Sequence, residues 1–163
     1  MIFLGADKHG YKAMQIVLDF LSGRGIASEN LGVKKESEDM KLEDLIPRVV
    51  SKVLSGKGNQ GILSCGTGVG VAVGANKFKG IRACLATNRK VAEWSRVYDD
   101  CNVLCLAGWD CTKENIEDIL GAWLKAEYDG DKGRLEMFKA FDAFGKLEGF
   151  PINGLREKVD RVV

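Results

Sequence analysis

Gly61-Ile62-Leu63-Ser64-Cys65-Gly66-Thr67-Gly68-Val69-Gly70-Val71-Ala72-Val73-Gly74-Ala75-Asn76-Lys77-Phe78 is the stretch that decides the fold. Its apolar start predicts a short buried strand over residues 62–64, with Cys65 at the carboxyl end. A glycine-rich turn, 66–70, follows. The small residues beyond it suit a helix packed close against a sheet. In an open α/β sheet, ligands sit at the carboxyl ends of strands, near helix N-termini. Cys65 and Thr67 therefore fall where a ligand would be, and the amides of the turn can face an anion.

The turn fits neither common nucleotide motif. No Gly-x-x-x-x-Gly-Lys-Ser/Thr string occurs in the chain. Gly66, Gly68 and Gly70 are spaced by two and two, not by the two and three of a dinucleotide fingerprint. A cysteine at a helix N-terminus is favoured as thiolate by the helix dipole and by N–H donors. A thiolate there can take a proton from carbon while the amides hold the resulting oxyanion. Spacing alone leaves a second reading open, in which Cys65 is a small buried residue and the glycines only permit tight packing.

Outward from this stretch, strands and helices alternate. Strands are expected over residues 1–5, 26–32, 80–86 and 102–107, and helices over 11–24, 42–54, 90–97, 113–127 and 134–146. In the helix over 11–24, Met14, Val17, Leu18 and Leu21 share one face. Pro47 is placed near the first turn of the helix over 42–54. The alternation predicts an α/β fold: a three-layer α-β-α sandwich with a mostly parallel, Rossmann-like five-stranded sheet. Residues 1–150 are read as one domain and 151–163 as a tail. The aromatic face of the last helix, with Phe138, Phe141 and Phe144, suits either its own sheet or a second subunit.

Composition narrows the function classes. The 163 residues carry a formal net charge of +1, which gives no reason to expect nucleic acid or an anionic membrane as partner. No apolar run reaches transmembrane length. The five cysteines are an odd number without framework spacing, and fit a reducing cytoplasm. His9 is the single histidine and no Cys-x-x-Cys pair occurs, so a zinc site is not expected.

The blocks Gly5-Ala6-Asp7-x-x-Gly10, Ser64-Cys65-Gly66-Thr67-Gly68-x-Gly70 with Ala75-Asn76-Lys77, Gly80-Ile81-Arg82-Ala83 and Asn102-Val103-Leu104-x-Leu106-x-Gly108 resemble the ribose-5-phosphate isomerase B family. That family includes the galactose-6-phosphate isomerase subunits. The likeness spans about residues 1–145 and favours the catalytic reading of Cys65. It implies an aldose–ketose isomerase of phosphorylated sugars that works through an enediolate without metal or cofactor. It also implies a homodimer or homotetramer with the site at the dimer interface. Carried onto matching positions, Cys65 is the base and Thr67 supports the sugar. The amides of Gly66, Gly68 and Gly70 hold the enediolate, and Asp7 binds sugar hydroxyls. Asn102 matches a motif residue that braces the loop or meets the substrate.

The departures from the family pattern are specific. Lys8 stands directly after Asp7, where the family usually has histidine, and His9 comes one later. Lys41-Leu42-Glu43 replaces an Asp-Tyr-Pro segment. Tyr98, followed by Asp99, replaces the ring-opening histidine of a His-Asn-x-Ala-Asn pattern. Trp109 replaces a phosphate-binding arginine, and the arginine-rich C-terminal site is reduced to Lys132 and Arg134. Lys8, His9, Tyr98, Asp99, Lys132 and Arg134 are thus candidate substrate contacts. A four-carbon sugar phosphate, which needs no ring opening, would tolerate loss of the histidine, and a furanose substrate could still be handled if His9 or Tyr98 takes that role. The alternative is a non-catalytic sugar-phosphate-binding subunit of a hetero-oligomeric isomerase.

Overall fold

The structure, a computed structural model, describes residues 1–143. The expected tail over 151–163, with Phe144 and the end of the last predicted helix, lies outside the described residues. The described residues fall into two compact units, Met1–Asp131 and the unit that begins at Lys132.

The first unit runs β1 (Ile2–Ala6), α1 (Tyr11–Ser22), β2 (Ser28–Asn30), α2 (Leu42–Leu54), β3 (Gln60–Cys65), α3 (Val69–Ala75), β4 (Ala83–Leu85), α4 (Arg89–Val97), β5 (Val103–Ala107) and α5 (Lys113–Lys125). The five strands form one sheet of order β2-β1-β3-β5-β4. Every pairing in it is parallel. One face packs on α1, α4 and α5 through Met14, Val17, Leu21, Ile116, Ile119, Leu120 and Trp123. The other packs on α2 and α3 through Leu45, Ile46, Val49, Val53 and Val71. Such double coverage explains why β3 and β5 read as unbroken apolar runs and not as alternations.

Strand order reverses between β1 and β3. From β1 the chain moves outward to β2, then returns to place β3 on the other side. The crevice at the carboxyl ends of these two strands is the topological switch point. Ile2 to Ala6 pair with Gln60 to Ser64, so Asp7 and Cys65 emerge side by side.

Several elements end where local chemistry stops them. The helix α1 gives way to Gly23, and Gly25 at φ +64° reverses the chain toward β2. The predicted strand over 26–32 shrinks to Ser28–Asn30, because Asn30 Oδ1 accepts from Gly32 N at 2.9 Å and turns the chain. Pro47 lies deeper in α2 than its expected place near the first turn. It is tolerated because α2 buries Leu45, Ile46, Val49, Val50 and Val53 against the sheet. Tertiary burial outweighs one lost helix bond there.

The second unit, as far as it is described, is α6 (Lys132–Phe141). It buries no residue of its own, and Met137 and Phe141 are exposed. Phe138 and Phe141 meet edge to face, with centroids 6.0 Å apart.

Candidate active site

The carboxyl edge of the sheet is built from three turns laced together through the backbone. Asp7 N donates to Ser64 O at 3.4 Å. Gly108 N donates to Cys65 O at 2.8 Å, and Trp109 N to Gly66 O at 2.9 Å. Ser64 Oγ, fully buried, donates to Leu106 O at 3.0 Å. The turns approach so closely that a side chain would not fit between them. A Cβ on Gly10 would stand 2.4 Å from Ser64 O, and one on Gly108 would stand 2.2 Å from His9 O.

Cys65 is buried at the end of β3, and its Sγ lies over the first turn of α3. A Cβ on Gly70 would be 3.8 Å from that sulfur. Gly68, at φ +72°, starts α3 in a conformation that a side chain strains. Thr67 is exposed, and its Oγ1 accepts from Val69 N at 3.2 Å. Among the described residues, the amides of Gly66, Thr67, Gly68 and Gly70 have no hydrogen-bond acceptor. A buried thiol thus sits beside a row of unsatisfied N–H donors, which is an anion-receiving arrangement.

Asp7 lines the same crevice and is 8% exposed. Its Oδ1 accepts from Gly10 N at 2.8 Å. It therefore closes the turn before α1 with one carboxylate oxygen. Trp109 is 68% exposed, yet its indole lies directly on Gly66, where a Cβ would come within 2.5 Å of the ring. His9 meets it edge to face, with centroids 5.4 Å apart. Lys8 Nζ pairs with Asp39 at 2.8 Å, and Lys12 with Glu36 at 3.4 Å. The Asp39 carboxylate raises the Lys8 pKa, and Lys8 holds the Asp39 carboxyl below its ordinary value.

Three other predicted residues lie at the opposite edge. Tyr98 caps α4, Asp99 follows it, and Asn102 precedes β5. Gly61 N donates to Asn102 O, so this turn stands level with the amino end of β3. The length of β3, from Gln60 to Cys65, separates it from the thiol by about 16 Å along the sheet. Asn102 is a brace: its Oδ1 accepts from Arg82 N at 2.9 Å and its Nδ2 donates to Gly80 O at 2.8 Å. Asn76 holds Ala83 the same way, with both bonds at 2.8 Å. Lys132 and Arg134 lie in the second unit, on α6.

A family model described as ribose/galactose isomerase matches residues 2–138. The chain belongs to that family. It is 32% identical over 108 residues to the 4-deoxy-4-sulfo-D-erythrose isomerase of Clostridium sp. (strain MSTE9), covering 66% of this chain and 68% of that one. It is 30% identical over 129 residues to the D-erythrulose-4-phosphate isomerase of Pectobacterium atrosepticum, covering 79% and 85%. The ribose-5-phosphate isomerase B of Clostridium thermocellum superposes with a TM-score of 0.83 at 33% identity, covering 89% of this chain and 99% of that one. As a ribose/galactose isomerase family member, the chain is an enzyme that interconverts aldoses and ketoses. Among the described residues, no helix is long and apolar enough to cross a membrane.

Sequence reasoning gave Asp39, Arg82 and Asp100 no role. Asp39 lies in a charged loop whose ion pair with Lys8 spans 31 positions, which no local pattern reveals. Arg82 was visible only as part of a motif. The remaining cysteines are away from the Cys65 turn in sequence and are read as structural. A hydrogen bond from Cys101 lowers the Cys84 pKa to about 7, whereas burial pushes Cys105 well up.

Proposed function

We propose that this isomerase acts on a short sugar carrying a terminal anion, a four-carbon aldose or ketose phosphate before a pentose phosphate, with Cys65 as the base. The observation that carries the reading is the buried Cys65 thiol set against the acceptor-free amides of Gly66, Thr67, Gly68 and Gly70. The thiolate takes the proton from the hydroxyl-bearing carbon next to the carbonyl. The amides hold the enediolate oxygen while the hydroxyl proton moves from that carbon's oxygen to the former carbonyl oxygen, and the thiol returns its proton to the neighbouring carbon. Thr67 and the free Oδ2 of Asp7 hold sugar hydroxyls. Lys8 takes the anion by exchanging Asp39 for it, a small cost because an exposed ion pair is weak.

Chain length follows from Trp109 and from the relatives. The indole on Gly66 crowds the site next to the base, and it supplies no bidentate partner for phosphate. Two relatives bear the names of isomerases of four-carbon sugars, one of them with a sulfonate. Tyr98 and Asp99 cannot reach the Cys65 of their own chain across about 16 Å. They act in the site of a second copy, in a homodimer or a pair of homodimers. The free thiols suit a cytoplasmic enzyme.

Proton NMR in heavy water tests this, with four-, five- and six-carbon aldose and ketose phosphates. Deuterium entering at C1 or C2 of the four-carbon pair fastest is the expected result. Cys65→Ala should slow that exchange by about 10²- to 10⁴-fold. Equal loss from the wild type and the variant, with no exchange in any substrate, would favour the non-catalytic subunit reading instead.

A further inference from the structure

The turn between α4 and β5 is held in a way that its length alone does not require. Asp100 has φ +44°, and it is the single non-glycine residue with positive φ among the described residues. A side chain there is disfavoured relative to glycine. Two arginines surround it. Arg82 Nη2 binds Asp100 Oδ2 at 2.5 Å, and Arg82 Nε donates to the carbonyls of Asp100 and Asp99 at 2.9 and 3.1 Å. Arg96, on α4, lies 3.9 Å from Asp100 Oδ1 and donates to Cys101 O. Its guanidinium sits over the Trp123 ring at 5.4 Å, which ties the turn to the core. Arg82 is itself fixed by Asn102 through its backbone amide.

The Arg82–Asp100 bond is charge-assisted, Arg96 adds a longer ion pair, and the three side chains are only 15–30% exposed, so the set is stronger than a surface ion pair. They hold the backbone of Asp100 and of Asp99 ahead of it. Tyr98 is 47% exposed and Asp99 is exposed, both turned away from the core of their own chain. A glycine in place of Asp100 would form the same turn without strain. The carboxylate therefore answers to its two guanidinium partners, and Arg82 also holds the carbonyl of Asp99, the residue after Tyr98.

We infer that Arg82, Asp100 and Arg96 form a clamp that positions Tyr98 and Asp99 as contacts to the sugar in the site of a second copy. This rests on the cross-subunit reading proposed above. The clamp residues do not touch the substrate; they are positioning residues, and their loss acts on binding before chemistry.

The test uses the full-length wild type and the variants Asp100→Gly, Asp100→Asn and Tyr98→Phe, labelled with 3-fluorotyrosine. Three tyrosines give three fluorine resonances, and Tyr98→Phe assigns one of them. Asp100→Gly should keep the unfolding midpoint near wild type, since relieved strain offsets the lost bonds. It should broaden or shift the Tyr98 resonance while Tyr11 stays put. It should raise KM about five- to tenfold with kcat within twofold, and Asp100→Asn should fall between. A Tyr98 resonance and a KM both unchanged in Asp100→Gly would overturn the clamp. A moved resonance with unchanged KM, in Asp100→Gly and in Tyr98→Phe alike, would keep the clamp and overturn the substrate contact on which it was built.

Discussion

The two edges of this sheet are held by different means. At the carboxyl edge, the turns after β1, β3 and β5 are packed backbone against backbone, and glycines make the packing possible. At the amino edge, the turn before β5 is held by side chains, with Arg82, Arg96, Asp100 and Asn102 reaching across gaps. The first construction leaves amides pointing into the crevice without acceptors. The second uses its polar groups on itself. A site for anionic chemistry needs the former, and a rigid support needs the latter.

The comparison breaks most sharply at Gly108. Its Cβ would stand 2.2 Å from a backbone carbonyl that has no rotamer to change. Gly108→Ala should lose about 1–3 kcal/mol in urea unfolding, with overpacking as the cause. It should also lower kcat, because the turns that carry His9 and Cys65 must separate. A variant as stable and active as wild type would mean that the carboxyl edge is looser than its backbone contacts imply.

The amino edge should yield in smaller steps. Asn102→Ala removes the bonds to Arg82 N and Gly80 O and should cost about 1–2 kcal/mol. Water reaches this half-buried turn and can replace part of what is lost. Its kinetic signature should be a raised KM, not a lowered kcat. A fall in kcat equal to that of Gly108→Ala would abolish the distinction between the edges.

The sequence made the carboxyl edge legible and the amino edge hardly so. Strand–turn–helix patterning places Cys65 and Asp7 at the carboxyl ends of their strands, while leaving open whether the glycines serve chemistry or only close packing. The bounds of α2, Leu42–Leu54, were readable because five of its apolar side chains fall on one face at helical spacing. The strand β2 was overestimated because Asn30 ends it through a side-chain bond that periodicity does not register. Asn102, matched by motif, proves to be a brace. The bond between Arg82 and Asp100 is silent in the sequence, since a positive φ at an aspartate and a contact across 18 positions leave no local pattern.

Trp109→Ala sharpens the comparison within the carboxyl edge itself. The indole is mostly exposed, so its loss should change stability little. It lies on Gly66, however, and its removal opens space next to the base. The ratio of kcat/KM for a five-carbon over a four-carbon phosphate should rise about tenfold, the size that one methylene of pocket space commands. An unchanged ratio would remove Trp109 from the determinants of chain length.

The smallest effect is expected at Lys8 and Asp39, a side-chain pair of the amino-edge kind beside the carboxyl edge. Both side chains are exposed, so the pair should add little to unfolding free energy. The sign of its pH dependence still follows. Asp39 has a folded pKa below its unfolded value of 3.8. Its contribution is therefore complete above the unfolded pKa and is lost as pH falls through the folded one. Between pH 5 and 8 (bounds set to about one unit above the carboxylate range) it should be flat. Asp39→Asn frees Lys8 in that same window, and if Lys8 receives the substrate's anion, KM should drop about two- to threefold at low salt. The gain should fade as salt is raised, since screening weakens an exposed cation for any partner. A KM that is unchanged at low salt would show that Lys8 serves Asp39 alone, and that the anion is held elsewhere.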